Sequence, residues 1–127
     1  MNADPDTQAR SDRGRLSYEA GQSAEDAIGR VYTAKGATLE KQRWRGSAGE
    51  IDLIFRLGDQ VLFVEVKQAK TCAAAFTRVS PKQQARLFAA AEEYIGTLPS
   101  GLLTEIRFDV AAVDAKGMFE ILENAFA

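Results

Sequence analysis

The sequence predicts an α/β domain in which a mixed central β-sheet is flanked by helices, in the order α-β-β-β-α-β-β, and three observations carry this. Residues 49–67, GEIDLIFRLGDQVLFVEVK, hold two runs rich in Ile, Leu, Phe and Val on either side of Gly58-Asp59, a pair that suits a tight hairpin turn with Gly at its first central position. Apolar residues recur at helical spacing before Gly36 and again after Ser80. Residues 105–113 alternate with a period of two, which supplies a further strand. Helices interleaved with strands in this order pack as layers on a sheet.

Taken from the start, residues 1–15, MNADPDTQARSDRGR, have no periodicity and almost no apolar content. They cannot offset the entropy of being ordered. A flexible tail is expected over residues 1–16 and a single domain over 17–127, a length that supports one sizeable core. From Ser17 to Lys35 the spacing is helical, with Ala24, Ala27, Ile28 and Val31 on one stripe and Gly36 placed to end the helix. Glu25 lies at the border of that stripe, close in angle to Tyr32, so it can reach into a neighbouring site.

Thr38 to Arg45 reads as an edge strand, because neither of its faces is cleanly apolar. Arg43 and Arg45 are candidates for contacts with phosphates, while Trp44 is either a core anchor or a platform for a base. Gly46 to Gly49 is then a loop, and a mobile one would lie next to the acidic cluster. After the hairpin, Cys72 falls in an Ala-rich loop. Ser80 is the N-cap of the second helix, Pro81 its first residue, and Gln83 completes a capping box. Gln84, Leu87, Phe88, Ala91, Tyr94 and Ile95 form its buried stripe, and Gly96 closes it. Asp114 to Gly117 turns the chain after the strand at 105–113, and Met118 to Leu122 returns as a short last strand.

The chemistry gathers on the hairpin. With Leu57 facing Gln60, counting back along both strands sets Asp52 opposite Glu65 and Glu50 opposite Lys67. Ile51, Leu53, Phe55, Leu62, Val64 and Val66 share an apolar face, and the four ionisable groups meet at the open end of the other, beyond Ile54 and Phe63. Opposed like charges on paired strands repel, with side chains that start roughly 5 Å apart. Asp52 and Glu65 therefore call for a divalent cation between them, or else both are solvated and Lys67 merely neutralises Glu65. A hard cation such as Mg²⁺ or Mn²⁺ takes one or two carboxylates and completes its shell with water and substrate oxygens. The Val66 carbonyl would be a further oxygen. Lys67 would then orient or help deprotonate the attacking water and stabilise charge on a phosphodiester.

Composition narrows the alternatives. A chain with no His and one Cys has neither a disulfide framework nor the usual zinc ligands, so any metal is held by oxygen. No stretch is long and apolar enough for a membrane span or a secretory signal, so a cytoplasmic location is expected, with no membrane partner. The net charge of −2 argues against a non-specific nucleic-acid coat protein. Yet Lys41 to Arg86 holds nine basic and four acidic residues, a net +5 that leaves −7 on the rest of the chain. A basic surface around an acidic site suits a phosphate-backbone ligand, although such a run also occurs on ordinary solvated surfaces.

Asp52 followed after a hairpin by Glu65-Val66-Lys67 resembles the D…(D/E)-x-K core of the PD-(D/E)xK nuclease superfamily. Gly21, Ala24-Glu25, Arg43-Trp44-Arg45, Gly49-Glu50-Ile51-Asp52-Leu53, Phe63-Val64-Glu65-Val66-Lys67 and Pro81 follow the order and spacing of the bacterial YraN family within it. The resemblance spans residues 17–122. It implies a restriction endonuclease-like three-layer fold and a Mg²⁺-dependent nuclease acting on DNA or structured nucleic acid, with Asp52, Glu65 and Lys67 as the catalytic set. It also implies that Glu25 joins Asp52, Glu65 and the Val66 carbonyl around the metal, and that a helical Gln, matched by Gln84, stands near it. The chain departs from the family pattern after Lys67, where an Arg commonly follows; Lys70 is the candidate to substitute, and Glu50 is a second-rank member of the site. A homo-oligomer or a DNA-processing protein partner is compatible with this reading. The acidic pI and that departure motivate the rival expectation, a non-cleaving module that keeps the fold and binds nucleic acid or protein.

Overall fold

The structure, a computed structural model, describes residues 22–126. The expected tail and the start of the first helix lie outside those residues. Helix α1 is described over residues 22–34 and is followed by β1 (Thr38–Arg45), β2 (Glu50–Leu57) and β3 (Gln60–Gln68). A short α2 (Cys72–Phe76), the long α3 (Pro81–Ile95), a single 3₁₀ turn at Gly101–Leu103, β4 (Glu105–Val113) and β5 (Phe119–Leu122) complete the chain. The five strands form one open sheet in the order β1-β2-β3-β4-β5. All neighbours are antiparallel except β3 and β4, which run parallel with α2 and α3 in the crossover. No helix among the described residues is long and apolar enough to cross a membrane.

Both faces of the sheet are covered, so β2 and β3 are apolar almost throughout. On one face Ala24, Ile28 and Tyr32 of α1 pack on Leu53, Phe55, Leu62 and Val64. On the other, Leu87, Ala91, Tyr94 and Ile95 of α3 pack on Ile54, Phe63, Phe108 and Val110. Burying a side chain of this size contributes about 1.5–3 kcal/mol, and this two-sided burial holds the central hairpin rigid. Trp44 takes the core role, its ring edge-on to Tyr94 at 5.3 Å. Ile51 departs from the simple alternation: it packs with Ile54 and Phe63 on the α3 side rather than with Leu53 and Phe55.

The hairpin turn is as expected. Gly58 has φ +62° while Asp59 does not cross to positive φ, which matches the turn with Gly first, and Leu57 pairs with Gln60. Gly36 ends α1 at φ +96°. The edge strand β1 is irregular. Its register slips between Leu39 and Lys41, leaving Glu40 as a bulge, and Arg43 sits in left-handed backbone at φ +53°. One expectation changes. Cys72 opens the short helix α2, capped by the Thr71 hydroxyl, which accepts from Ala74 N–H at 3.1 Å. The turn from Gly46 to Gly49 is pinned, because Glu93 of α3 accepts from the Ser47 N–H at 2.8 Å and from its hydroxyl at 2.8 Å.

A buried polar network fixes α1 to the sheet. Asp109, 1% exposed, accepts from the Tyr32 hydroxyl at 2.6 Å, from Arg107 at 2.9 and 2.8 Å, and from the Asn124 N–H at 3.1 Å. Burial and the Asp109 carboxylate raise the Tyr32 phenol well above its ordinary value, so it stays a donor. Tyr32→Phe keeps the ring stacked on Phe55 and removes only the hydroxyl. A loss of about 1.5–3 kcal/mol is expected, the scale of a hydrogen bond to a charged group. Asp109→Ala, which leaves the Tyr32 hydroxyl and the Asn124 N–H without their acceptor and Arg107 with Glu123 alone, should cost about 3–5 kcal/mol. Urea unfolding at unchanged m-value checks both, and equal losses in the two variants would contradict the network.

Candidate functional site

The site begins where the β2–β3 ladder stops. In a two-residue hairpin closed by Leu57 and Gln60, the pairs that exchange both hydrogen bonds are 57/60, 55/62 and 53/64, and the next would be 51/66. The observed ladder ends at Leu53 and Val64. The Val66 N–H, which would have gone to the Ile51 carbonyl, instead donates to Asp52 Oδ2 at 2.8 Å. One carboxylate oxygen thus replaces a backbone carbonyl, and the strands part. Because N–H and C=O of one strand residue point the same way, the Val66 carbonyl faces this opening as well.

Glu65, on the α3 face of β3, is 6% exposed. Its Oε2 accepts from Gln83 Nε2 at 2.6 Å and lies 3.5 Å from Lys67 Nζ. Its Oε1 is buried and has no hydrogen-bond partner among the described residues. An open buried oxygen of this kind costs about 1–3 kcal/mol. Burial first, and the neighbouring Asp52 carboxylate second, push the Glu65 carboxyl up to about 9 against the opposing pull of Lys67. On the α1 side, Glu25 bonds Arg43 Nε at 3.0 Å, and burial raises its carboxyl, with Asp52 adding to the rise and Arg43 opposing it. Asp52 therefore stands between Glu25 and Glu65, each with its own cation.

The other expected site residues are placed elsewhere. Glu50 pairs across the strands with Arg45 at 3.0 Å, not with Lys67, because the register that would oppose Glu50 and Lys67 never forms. Arg43 and Arg45 are thus held by carboxylates in this state. Lys70 is exposed just beyond β3. Gln84 turns back on its own helix and donates to the Val79 carbonyl at 3.3 Å. Gln83 is the helical amide at the site. The Ser80 hydroxyl does accept from the Gln83 N–H at 3.1 Å, but the Gln83 side chain reaches Glu65 instead of closing the capping box. The signal for it was present, since Gln83 precedes the buried stripe at Leu87 by one helical turn and so lies on the sheet-facing side of α3.

Among the described residues no group of three or more His, Cys, Asp or Glu side chains is gathered around one point. The donor set nevertheless fits a hard cation, which needs only one or two carboxylates because it keeps several waters. Asp52, the Val66 carbonyl and the unpartnered Glu65 Oε1 supply oxygens of that kind.

The raised carboxyl of Glu65 has a signed consequence for stability. Its folded value lies above the ordinary 4.5, so between about 4.5 and 9 the folded state binds the extra proton, and metal-free stability falls as pH rises through that window. Glu65→Gln should flatten this dependence and gain about 1–3 kcal/mol at its alkaline end. Thermal unfolding in a chelator across the window measures it; parallel pH profiles for the two proteins would contradict the burial of an ionisable pair here.

The profile of the uncharacterised protein family UPF0102 matches residues 24–113, which include every acidic site residue and both site lysines. A UPF0102 protein of Roseobacter denitrificans is 50% identical over 127 residues, covering 100% of this chain and 98% of its own. One from Cereibacter sphaeroides is 53% identical over 114 residues, covering 90% and 97%, and one from Ruegeria pomeroyi is 49% identical over 118 residues, covering 93% and 96%. The chain belongs to family UPF0102, the YraN family.

Proposed function

We propose that this protein is a Mg²⁺- or Mn²⁺-dependent nuclease of the PD-(D/E)xK type, with a restriction endonuclease-like core, that hydrolyses phosphodiester bonds in DNA. The observation that carries the reading is Glu65: a buried carboxyl group pressed against the Asp52 carboxylate, with an Oε1 that accepts no hydrogen bond and Lys67 Nζ 3.5 Å from Oε2. A fold rarely leaves a buried oxygen unsatisfied unless something else completes it. The five-stranded mixed sheet covered by helices on both faces is compatible with that core and holds these groups on its two central strands.

Asp52, Glu65 and the Val66 carbonyl would hold the cation, with Glu25 in reserve beyond Asp52. The cation supplies charge neutralisation and Lewis acidity at the phosphate. Lys67 has the length and the position to hydrogen-bond the incoming water and the phosphate oxygens, where negative charge grows as the new P–O bond forms and the old one breaks. Gln83 orients Glu65 by its 2.6 Å hydrogen bond to Oε2 and leaves the buried Oε1 for another partner. The ungathered state of the carboxylates favours, as the second reading, a module that binds without cleaving.

Lys67→Met separates the two. It keeps length and removes charge, so a group that acts on the transition state should lose about 10²–10³ in rate. Mg²⁺ affinity by calorimetry should hold or rise, since the cation no longer faces an ammonium group. Cleavage is screened over single-stranded, duplex, flapped and four-way-junction DNA. Activity that survives the substitution unchanged comes from a contaminant and returns the protein to the second reading.

A further inference from the structure

We propose that the cleft between the β1–β2 turn and the first half of α3 is a phosphate subsite, in which Lys82 and Arg86 grip the DNA backbone beside the reacting phosphodiester. This rests on the nuclease reading for the identity of the strand, but its geometry is independent of Asp52 and Lys67. The cleft encloses about 330 Å³, with Gly49 and Glu50 on one wall and Ser80, Lys82, Gln83 and Arg86 on the other. Gln83 is its link to the chemistry, since the same side chain donates to Glu65.

Charge singles this cleft out. The two arginines of β1 beside the acidic row are committed, Arg43 to Glu25 and Arg45 to Glu50. The Arg45 pairing also neutralises the acid in the cleft wall. Lys82 and Arg86 form no ion pair with any described residue, and both are exposed. Their placement is poor for the helix on its own. They are like charges four residues apart, which repel on a helix surface. Lys82 also sits in the first turn, at the positive end of the α3 dipole, where no acidic residue offsets it. An anion in the cleft reverses both penalties.

The wall opposite is held for such a ligand. Glu93 fixes the turn through Ser47, and a side chain at Gly46 would run into the Glu93 carboxylate at 2.6 Å and the Trp44 ring at 2.7 Å. At Gly49 an added Cβ would stand 3.7 Å from Arg86 Cβ, so glycine there keeps the mouth of the cleft wide.

The test is Lys82→Gln combined with Arg86→Gln, read by fluorescence anisotropy with a fluorescein-labelled 20-base-pair DNA duplex and its single strand, without metal, over 50–200 mM salt. Each phosphate contact removed should lower the slope of log K against log[salt] by about 0.7–0.9. The double variant is therefore expected to bind at least tenfold more weakly at low salt, with a shallower slope by about 1.5. Its melting temperature should be no lower than that of the wild type, because a repulsion has been relieved. An unchanged affinity and slope, or a wild type that binds neither DNA, overturns the subsite. Cleavage that depends on Lys67 while the double variant binds normally removes the subsite and keeps the nuclease. Binding that depends on Lys82 and Arg86 in a protein that never cleaves keeps the subsite and removes the nuclease.

Discussion

The hydrogen bond from Val66 N–H to Asp52 Oδ2 is the constraint on which the site depends. A β-hairpin buried on both faces would ordinarily pair to its end, because unpaired backbone in the interior is costly. Here a side chain supplies the acceptor, so the ladder stops without stranding the donor. Two results follow at once: the Asp52 carboxylate is pinned to the neck of the opening, and Glu65, one residue before Val66, is brought beside it. The apolar layers on either face prevent water from relieving the repulsion, and that is the physical origin of the raised Glu65 carboxyl.

The two helices hold the two ends of the acidic row. Glu25 reaches it from α1 and Gln83 from α3, so the row crosses the sheet from one layer to the other. Rigidity on the α1 side comes from the Tyr32–Asp109–Arg107 network, and on the α3 side from the aromatic packing of Tyr94, Phe63 and Trp44. A site assembled from three layers holds its geometry only if each layer is locked to the next. Both locks are present.

Much of this was legible in the sequence. The period-two runs and Gly58-Asp59 fix the hairpin register down to Leu57 opposite Gln60, and the Ser80-Pro81 cap and apolar stripe place α3. What escaped was wherever a side chain competed with the backbone rules. Counting register cannot anticipate that Asp52 will stand in for the Ile51 carbonyl, and so it puts Ile51 on the wrong face and Glu50 against Lys67. The capping-box rule assigns the Gln83 amide to its own helix, whereas a buried carboxylate outcompetes a solvated backbone N–H for it. The bond between Tyr32 and Asp109 joins residues 77 apart, beyond any local pattern. Left-handed Arg43 is equally unreadable, since the residue gives no glycine signal.

Two buried acids on adjacent strands make the final comparison. Asp109 on β4 and Glu65 on β3 are 1% and 6% exposed, so both met the same demand for compensation. The fold met it in full at Asp109, with a phenol, a bidentate guanidinium and a backbone N–H. At Glu65 it supplied one amide and a longer contact to Lys67, and left Oε1 open. Desolvation alone therefore does not explain Glu65, because this same sheet satisfies a more deeply buried carboxylate completely. The departures from local rule gather at the same end of the sheet: the strained Arg43, the interrupted ladder, the row of three acids, and the two like charges at the start of α3. Natural chains tolerate such conflicts where function requires them and avoid them elsewhere. The opposite end of the hairpin, closed by the Gly58 turn, carries none of these departures.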